Sequence, residues 1–130
     1  MSRILYTLVL LSVFSASAQE LSPQQDLFLK LEYEARHGNK AVYRRLLEKL
    51  GDYPLTPYAE AQYWQRHLSY KNRNAISSFL QQHGFSPFTT ALRKKWLNFL
   101  ANRSYKQMFI KEYVDIGDAR LACLNLRWRL

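Results

Sequence analysis

From Leu27 onward, apolar residues recur at helical rather than strand spacing. Leu27, Leu31 and Ala35 share one face, as do Val42, Leu46 and Leu50, and then Ala61, Trp64 and Leu68. Phe88, Leu92, Trp96 and Phe99 form the heaviest stripe, and Ala119, Ala122, Cys123, Leu126 and Leu130 the last. Ser22-Pro23 sets a capping residue before a proline at the first helical position, with Gln25 where a capping box needs it. Thr56-Pro57 and Ser86-Pro87 repeat that cap-then-proline signal. These starts and stripes predict helices over about 22–37, 40–50, 57–70, 73–83, 87–102, 104–114 and 117–130. No strand-like alternation interrupts them, so the expected fold class is all-α.

Glycine spacing adds a second layer. Gly51, Gly84 and Gly117 stand 33 residues apart, twice over. At the same offset Tyr43 maps to Ile76 and Phe109, and Leu47 to Leu80 and Tyr113. Pro54 maps to Pro87, Leu55 to Phe88 and Leu121, Thr56 to Thr89, and Tyr63 to Trp96. A period in the thirties with a glycine at the end of one helix in each unit is the signature of stacked helical hairpins. Glycine suits the left-handed residue that closes a helix. The expected architecture is therefore short antiparallel hairpins stacked as an α-superhelix or solenoid, in the manner of tetratricopeptide arrays. The last predicted helix ends on Leu126, Trp128 and Leu130 without a polar cap, which reads as an array cut before its end.

The N-terminus reads as an address. Arg3 precedes an apolar run from Ile4 to Phe14, and Ala16-Ser17-Ala18 supplies the small residues a signal peptidase reads. Cleavage is expected after Ala18, giving a signal peptide over 1–18 and a mature body over 19–130 in the periplasm. The run is too short for a membrane span, which needs about 20 apolar residues. The formal charge is +9, and losing Arg3 leaves +8. Export sets nucleic acid aside as a partner. A basic body then suits an anionic wall polymer or membrane surface, or is a solvated surface that selects nothing. Cys123 is the only cysteine, expected either as a small buried hydrophobe or with a partner outside this sequence. His37, His67 and His83 lack ligand-like spacing and read as surface or helix-end residues, so no metal or cofactor is expected.

The stretch Leu50-Gly51-Asp52-Tyr53-Pro54-Leu55-Thr56-Pro57-Tyr58-Ala59-Glu60 resembles the L-x-D-Y-P-L-x-P-Y-x-E segment of soluble lytic murein transglycosylases, near the start of their superhelical (U-type) region. Asp26 to Leu50, with Glu34-Ala35-Arg36-His37-Gly38-Asn39, is similar to that family's opening hairpin. Arg93 to Leu100 followed by Arg103, and Ala119 to Leu126, resemble its later helices. The resemblance implies a non-catalytic N-terminal part of a superhelical domain. The parent enzymes cleave peptidoglycan between N-acetylmuramic acid and N-acetylglucosamine to 1,6-anhydro products, using a separate C-terminal domain. That domain carries a catalytic glutamate in a Glu-Ser context and Gly-Leu-Met-Gln and Ala-Tyr-Asn-Ala-Gly stretches. None occurs here: of Glu20, Glu32, Glu34, Glu48, Glu60 and Glu112, none precedes serine.

The residues give the same reading of the chemistry. Glu32, Glu34 and Glu48 neighbour Lys30, Arg36, Arg44, Arg45 and Lys49, the spacing of exposed ion pairs rather than of a protonated carboxyl in an apolar cleft. No nucleophile constellation is evident. No catalytic residue is assigned, and the chain by itself is not expected to be an enzyme. Within the family-like motif, Pro54 forces Tyr53 out of the helical region and Pro57 starts the next helix. Asp52 is placed to bond the turn backbone, and Tyr53 and Tyr58 to wedge between helices or, alternatively, to stack on sugars, with Leu55 beside them. Arg66, Lys71, Arg73, Arg93, Lys94 and Lys95 are the candidate glycan-facing cations, set against a solvated outer face. The expected function is that of a non-catalytic superhelical segment of a periplasmic lytic murein transglycosylase, truncated, with a structural or wall-binding role. The alternative is a free-standing periplasmic scaffold for a protein partner.

Overall fold

The computed structural model describes residues 20–130; the expected signal peptide over 1–18, with its cleavage after Ala18, lies outside the described residues. Seven helices follow in order: α1 Pro23–His37, α2 Lys40–Leu50, α3 Thr56–Arg66, α4 Arg73–His83, α5 Pro87–Asn102, α6 Lys106–Glu112 and α7 Ala119–Arg129. A single 3₁₀ turn, Tyr70–Asn72, leads into α4. Among the described residues there is no strand, so the class is all-α.

Local chemistry explains most helix starts. The Ser22 hydroxyl accepts from the Gln25 N–H at 3.2 Å while the Gln25 side chain accepts from the Ser22 N–H at 2.8 Å, a complete capping box. Ser86 and Thr89 build the same device on α5. Asn39 caps α2 and Asp118 caps α7 through their side-chain oxygens. Thr56 departs from expectation. It lies inside α3 rather than capping it, and its buried hydroxyl has no hydrogen-bond partner. Its counterpart Thr89 is satisfied because Ser86 stands three residues before it, where α3 has Tyr53.

Helix ends differ more from the sequence reading. The helix expected over 57–70 stops at Arg66. His67 closes it, its Nδ1 2.8 Å from the Tyr63 carbonyl, and the Asn72 amide donates to the His67 carbonyl at 2.8 Å. Ser69 then caps the 3₁₀ turn. Three polar side chains thus offer the backbone an alternative to another helical turn. Gly51 and Gly84 follow α2 and α4 with nearly identical backbones, φ 57°, ψ −129° and φ 56°, ψ −135°. This is not the left-handed helical region but a glycine-only one, where any Cβ strains the backbone. Gly117 also has positive φ, but it sits in the loop before α7, five residues beyond the end of α6, and does not close a helix.

Packing follows the odd-numbered helices. α1 packs on α2 and α3, α3 on α5, and α5 on α7; α4 and α6 both lie against α5. One core cluster joins α1 to α3 through Leu31, Ala35, Tyr43, Leu50, Ala59 and Tyr63. A larger one runs from α3 to α7 around Ile76, Leu92, Trp96, Leu100, Phe109 and Leu121. Trp64 packs against both. The 33-residue offset is visible in burial: Tyr43, Ile76 and Phe109 are all core, as are Ala59 and Leu92, and Tyr63 and Trp96. The last stripe is corrected. α7 buries Leu121, Leu124 and Asn125, with Trp128 edge-on to Phe109 at 5.1 Å, whereas Cys123, Leu126 and Leu130 are exposed. Cys123 is therefore not a buried small hydrophobe.

The Asp52–Glu60 segment turns the chain from α2 into α3. Tyr53 packs on Phe28 of α1 at 5.6 Å, and Tyr58 on Phe88 of α5 at 4.6 Å, so both tyrosines tie helices together. Pro54, Leu55 and Pro57 shape this turn, which the Thr56 N–H closes onto the Tyr53 carbonyl at 3.0 Å. Asp52 does not play its expected part: no hydrogen bond from a described residue reaches its carboxylate, because backbone groups already close the turn.

Candidate functional site

The six cations singled out in the sequence do not stay together. Arg93 is buried, 7% exposed. Its guanidinium reaches from α5 to the end of α4, donating to the Leu80 and Gly84 carbonyls at 3.3 and 3.4 Å and lying 4.9 Å over the Phe85 ring. It adds a second donor to the Leu80 carbonyl, which the Gly84 N–H already reaches at 3.1 Å, and to the Gly84 carbonyl, which the Thr89 hydroxyl reaches at 2.9 Å, and it is not a surface cation. Burial lowers its pKa, partly offset by the charge of Glu112. Glu112 itself is buried and accepts from the Ser77 hydroxyl at 2.7 Å, which joins α6 to α4.

Lys71 and Arg73 lie at the 3₁₀ turn. Arg73 donates to the Tyr70 carbonyl at 2.9 Å and covers the Tyr70 ring at 4.4 Å, and Tyr70 stacks on Tyr105 at 4.5 Å. This is a packed corner where α4 begins.

Arg66 and Lys95 do converge. With Arg36, Gln62 and Gln65 they line an open groove of about 380 Å³ across α1, α3 and α5. Arg36 is held in place: its Nε donates to Gln62 at 2.5 Å, its terminal nitrogen pairs with Glu32 at 2.5 Å, and the Gln62 amide donates to Glu32 at 3.1 Å. Glu32 therefore neutralises Arg36, while Arg66 and Lys95 have no ion pair among the described residues. Lys94 is exposed on α5 but does not line the groove. The ladder continues to α7, where Arg120 donates to Asn98 of α5, and Arg120 and Arg127 line a second depression of about 420 Å³ beside Cys123. One face of the odd-numbered helices thus carries Arg36, Arg66, Lys95, Arg120 and Arg127, interleaved with amides.

This arrangement suits an extended anionic polymer. Unpaired cations in shallow grooves attract negative charge, and neighbouring Gln and Asn amides both donate and accept toward hydroxyls and amides. The titratable groups at the groove are the cations Arg36, Arg66 and Lys95, with Glu32 paired to Arg36. The three histidines sit at helix ends against aromatic rings: His37 on Tyr33, His67 on Tyr63, His83 on Phe79. Among the described residues no cluster of His, Cys, Asp or Glu could hold a metal ion, and no helix is long and apolar enough to cross a membrane.

Sequence reasoning missed Arg36, Gln62, Arg120 and Arg127. A usable signal was there: every odd-numbered helix carries an arginine or lysine on its outward side. No protein-family model, curated protein or solved structure matches the chain.

Proposed function

We propose that this chain is a non-catalytic, exported superhelical segment that holds anionic peptidoglycan along the basic face of its odd-numbered helices. The carrying observation is the groove of Arg36, Arg66 and Lys95, continued by Arg120 and Arg127. Two features support the repeat reading: each odd-numbered helix packs on the next, and α2 and α4 end in the same glycine conformation 33 residues apart. The Asp52–Glu60 segment, which resembles the opening of soluble lytic murein transglycosylases, supports the glycan strand as partner and a parent enzyme of that kind. The basic composition suits the wall compartment to which the signal-like N-terminus would deliver the chain.

The test is incubation with purified sacculi. The protein should sediment with them, release into solution as salt is raised, and produce no 1,6-anhydro-muropeptides. Failure to sediment at low salt would remove the wall from the reading; anhydro products would overturn its non-catalytic part.

A further inference from the structure

The face of α3 opposite the basic groove lines a second cavity, and its chemistry is different. It measures about 290 Å³ and lies between α2, α3 and the start of α4. Lys40 and Arg44 stand one helical turn apart on its α2 wall, and Glu60 faces it from α3. Tyr43, Tyr63 and Trp64 supply aromatic walls, the two tyrosines stacked at 4.1 Å and the indole edge-on to Tyr63 at 5.1 Å.

The opposite charges in this cavity do not meet. Among the described residues Glu60 makes no ion pair with Lys40 or Arg44, and no hydrogen bond to its carboxylate is formed. Its half-buried carboxylate sits close enough to Tyr43 that its charge helps push the phenol pKa up, after the larger effect of burial. Folding normally closes such a pair or leaves it in water, because an uncompensated part-buried charge is costly. Here the positive and negative groups are held apart across apolar and aromatic surface, with Leu47 also at the wall. A ligand that bridges them must carry both charges on a short frame and an apolar remainder.

We propose that this cavity binds a small zwitterion of the apolar amino-acid class, its ammonium on Glu60, its carboxylate on Lys40 and Arg44, and its side chain against Tyr43 and Trp64. Size and polarity fit a small-molecule site, apolar walls with a few convergent polar groups. The wall-binding face plays no part in this site.

The experiment is a titration of the ¹⁵N-labelled purified protein with L-leucine, followed by amide shifts. Isopentylamine and 4-methylpentanoate, the two half-molecules, serve as controls. Shifts at Tyr43, Glu60 and Trp64 should saturate below about 10 mM, in line with the roughly millimolar affinity open to so small a ligand. Each half-molecule should bind at least about tenfold more weakly, since each loses one charge-assisted contact. Glu60→Gln and the exposed pair K40A/R44A should each weaken leucine by a similar factor. Absence of saturable shifts, equal binding of either half-molecule, or unchanged affinity in both variants would overturn the assignment. The two Lys40/Arg44 positions are solvent-facing, so that variant tests the site even if Glu60→Gln perturbs the fold.

Discussion

Glu60 shows how a single side chain can be set against stability. Burial alone raises its pKa, and no cation among the described residues compensates it. A carboxyl with a raised folded-state pKa binds its proton more tightly in the folded than in the unfolded chain. Its contribution to stability is then full below the unfolded pKa and is lost as pH rises through the folded one. Glu60→Gln removes that loss. The variant should be more stable than the wild type at pH 7, with the advantage shrinking toward pH 4, as read by urea midpoints at both pH values. An equal difference at both would show that the carboxylate is not destabilised in the fold. Arg93 makes the reverse case. It is buried and occupied by the end of α4, so Arg93→Ala should cost about 2–3 kcal/mol in urea unfolding, the scale for charged hydrogen bonds lost from a buried site. A change within about 0.5 kcal/mol, typical of surface sites, would return Arg93 to the surface. In the sequence Arg93 looked like its neighbours Lys94 and Lys95. Its long side chain reaches another helix, and that partner is set by packing which a linear pattern does not display.

Helix starts were legible because caps act over three residues. Ser22, Ser86 and their partners are local chemistry, and α1, α2, α4 and α5 fall within a residue of their expected spans. Ends were less legible. α3 stops early because His67, Ser69 and Asn72 bond the backbone, although Leu68 continues the apolar spacing. α7 has apolar residues on two sides, so its eleven residues allow two readings of the buried face. The face chosen by Phe109 and the α5 core is Leu121, Leu124 and Trp128. The glycine period was legible as spacing, but not as conformation. Gly51 and Gly84 have open space where a Cβ would stand, so substitution there meets backbone strain alone. Gly51→Ala and Gly84→Ala should each cost about 2 kcal/mol by denaturant unfolding. The two costs should add in the double variant, because α2 and α4 belong to different clusters. A cost below about 0.5 kcal/mol at both would mean that the chain closes these helices another way.

At the scale of the molecule, two clusters are joined through Trp64, and α1, α3, α5 and α7 follow one another beneath a common basic face. Two of the five cations of this face were legible. Arg66 and Lys95 could be picked out as cations beside apolar stripes, but Arg36, Arg120 and Arg127 join them only when segments far apart in sequence are packed together. The same packing sets Arg73 on a tyrosine corner, with Lys71 exposed beside it on the 3₁₀ turn and away from the groove. This separation makes the binding account specific, since two double variants remove the same charge from different places. The most direct measurement is sedimentation with purified sacculi across a salt series for wild type, R66A/K95A and K71A/R73A. The account predicts that R66A/K95A loses at least about tenfold in affinity at low salt while K71A/R73A stays within about twofold of the wild type. Equal losses in the two variants, or none in R66A/K95A, would contradict it.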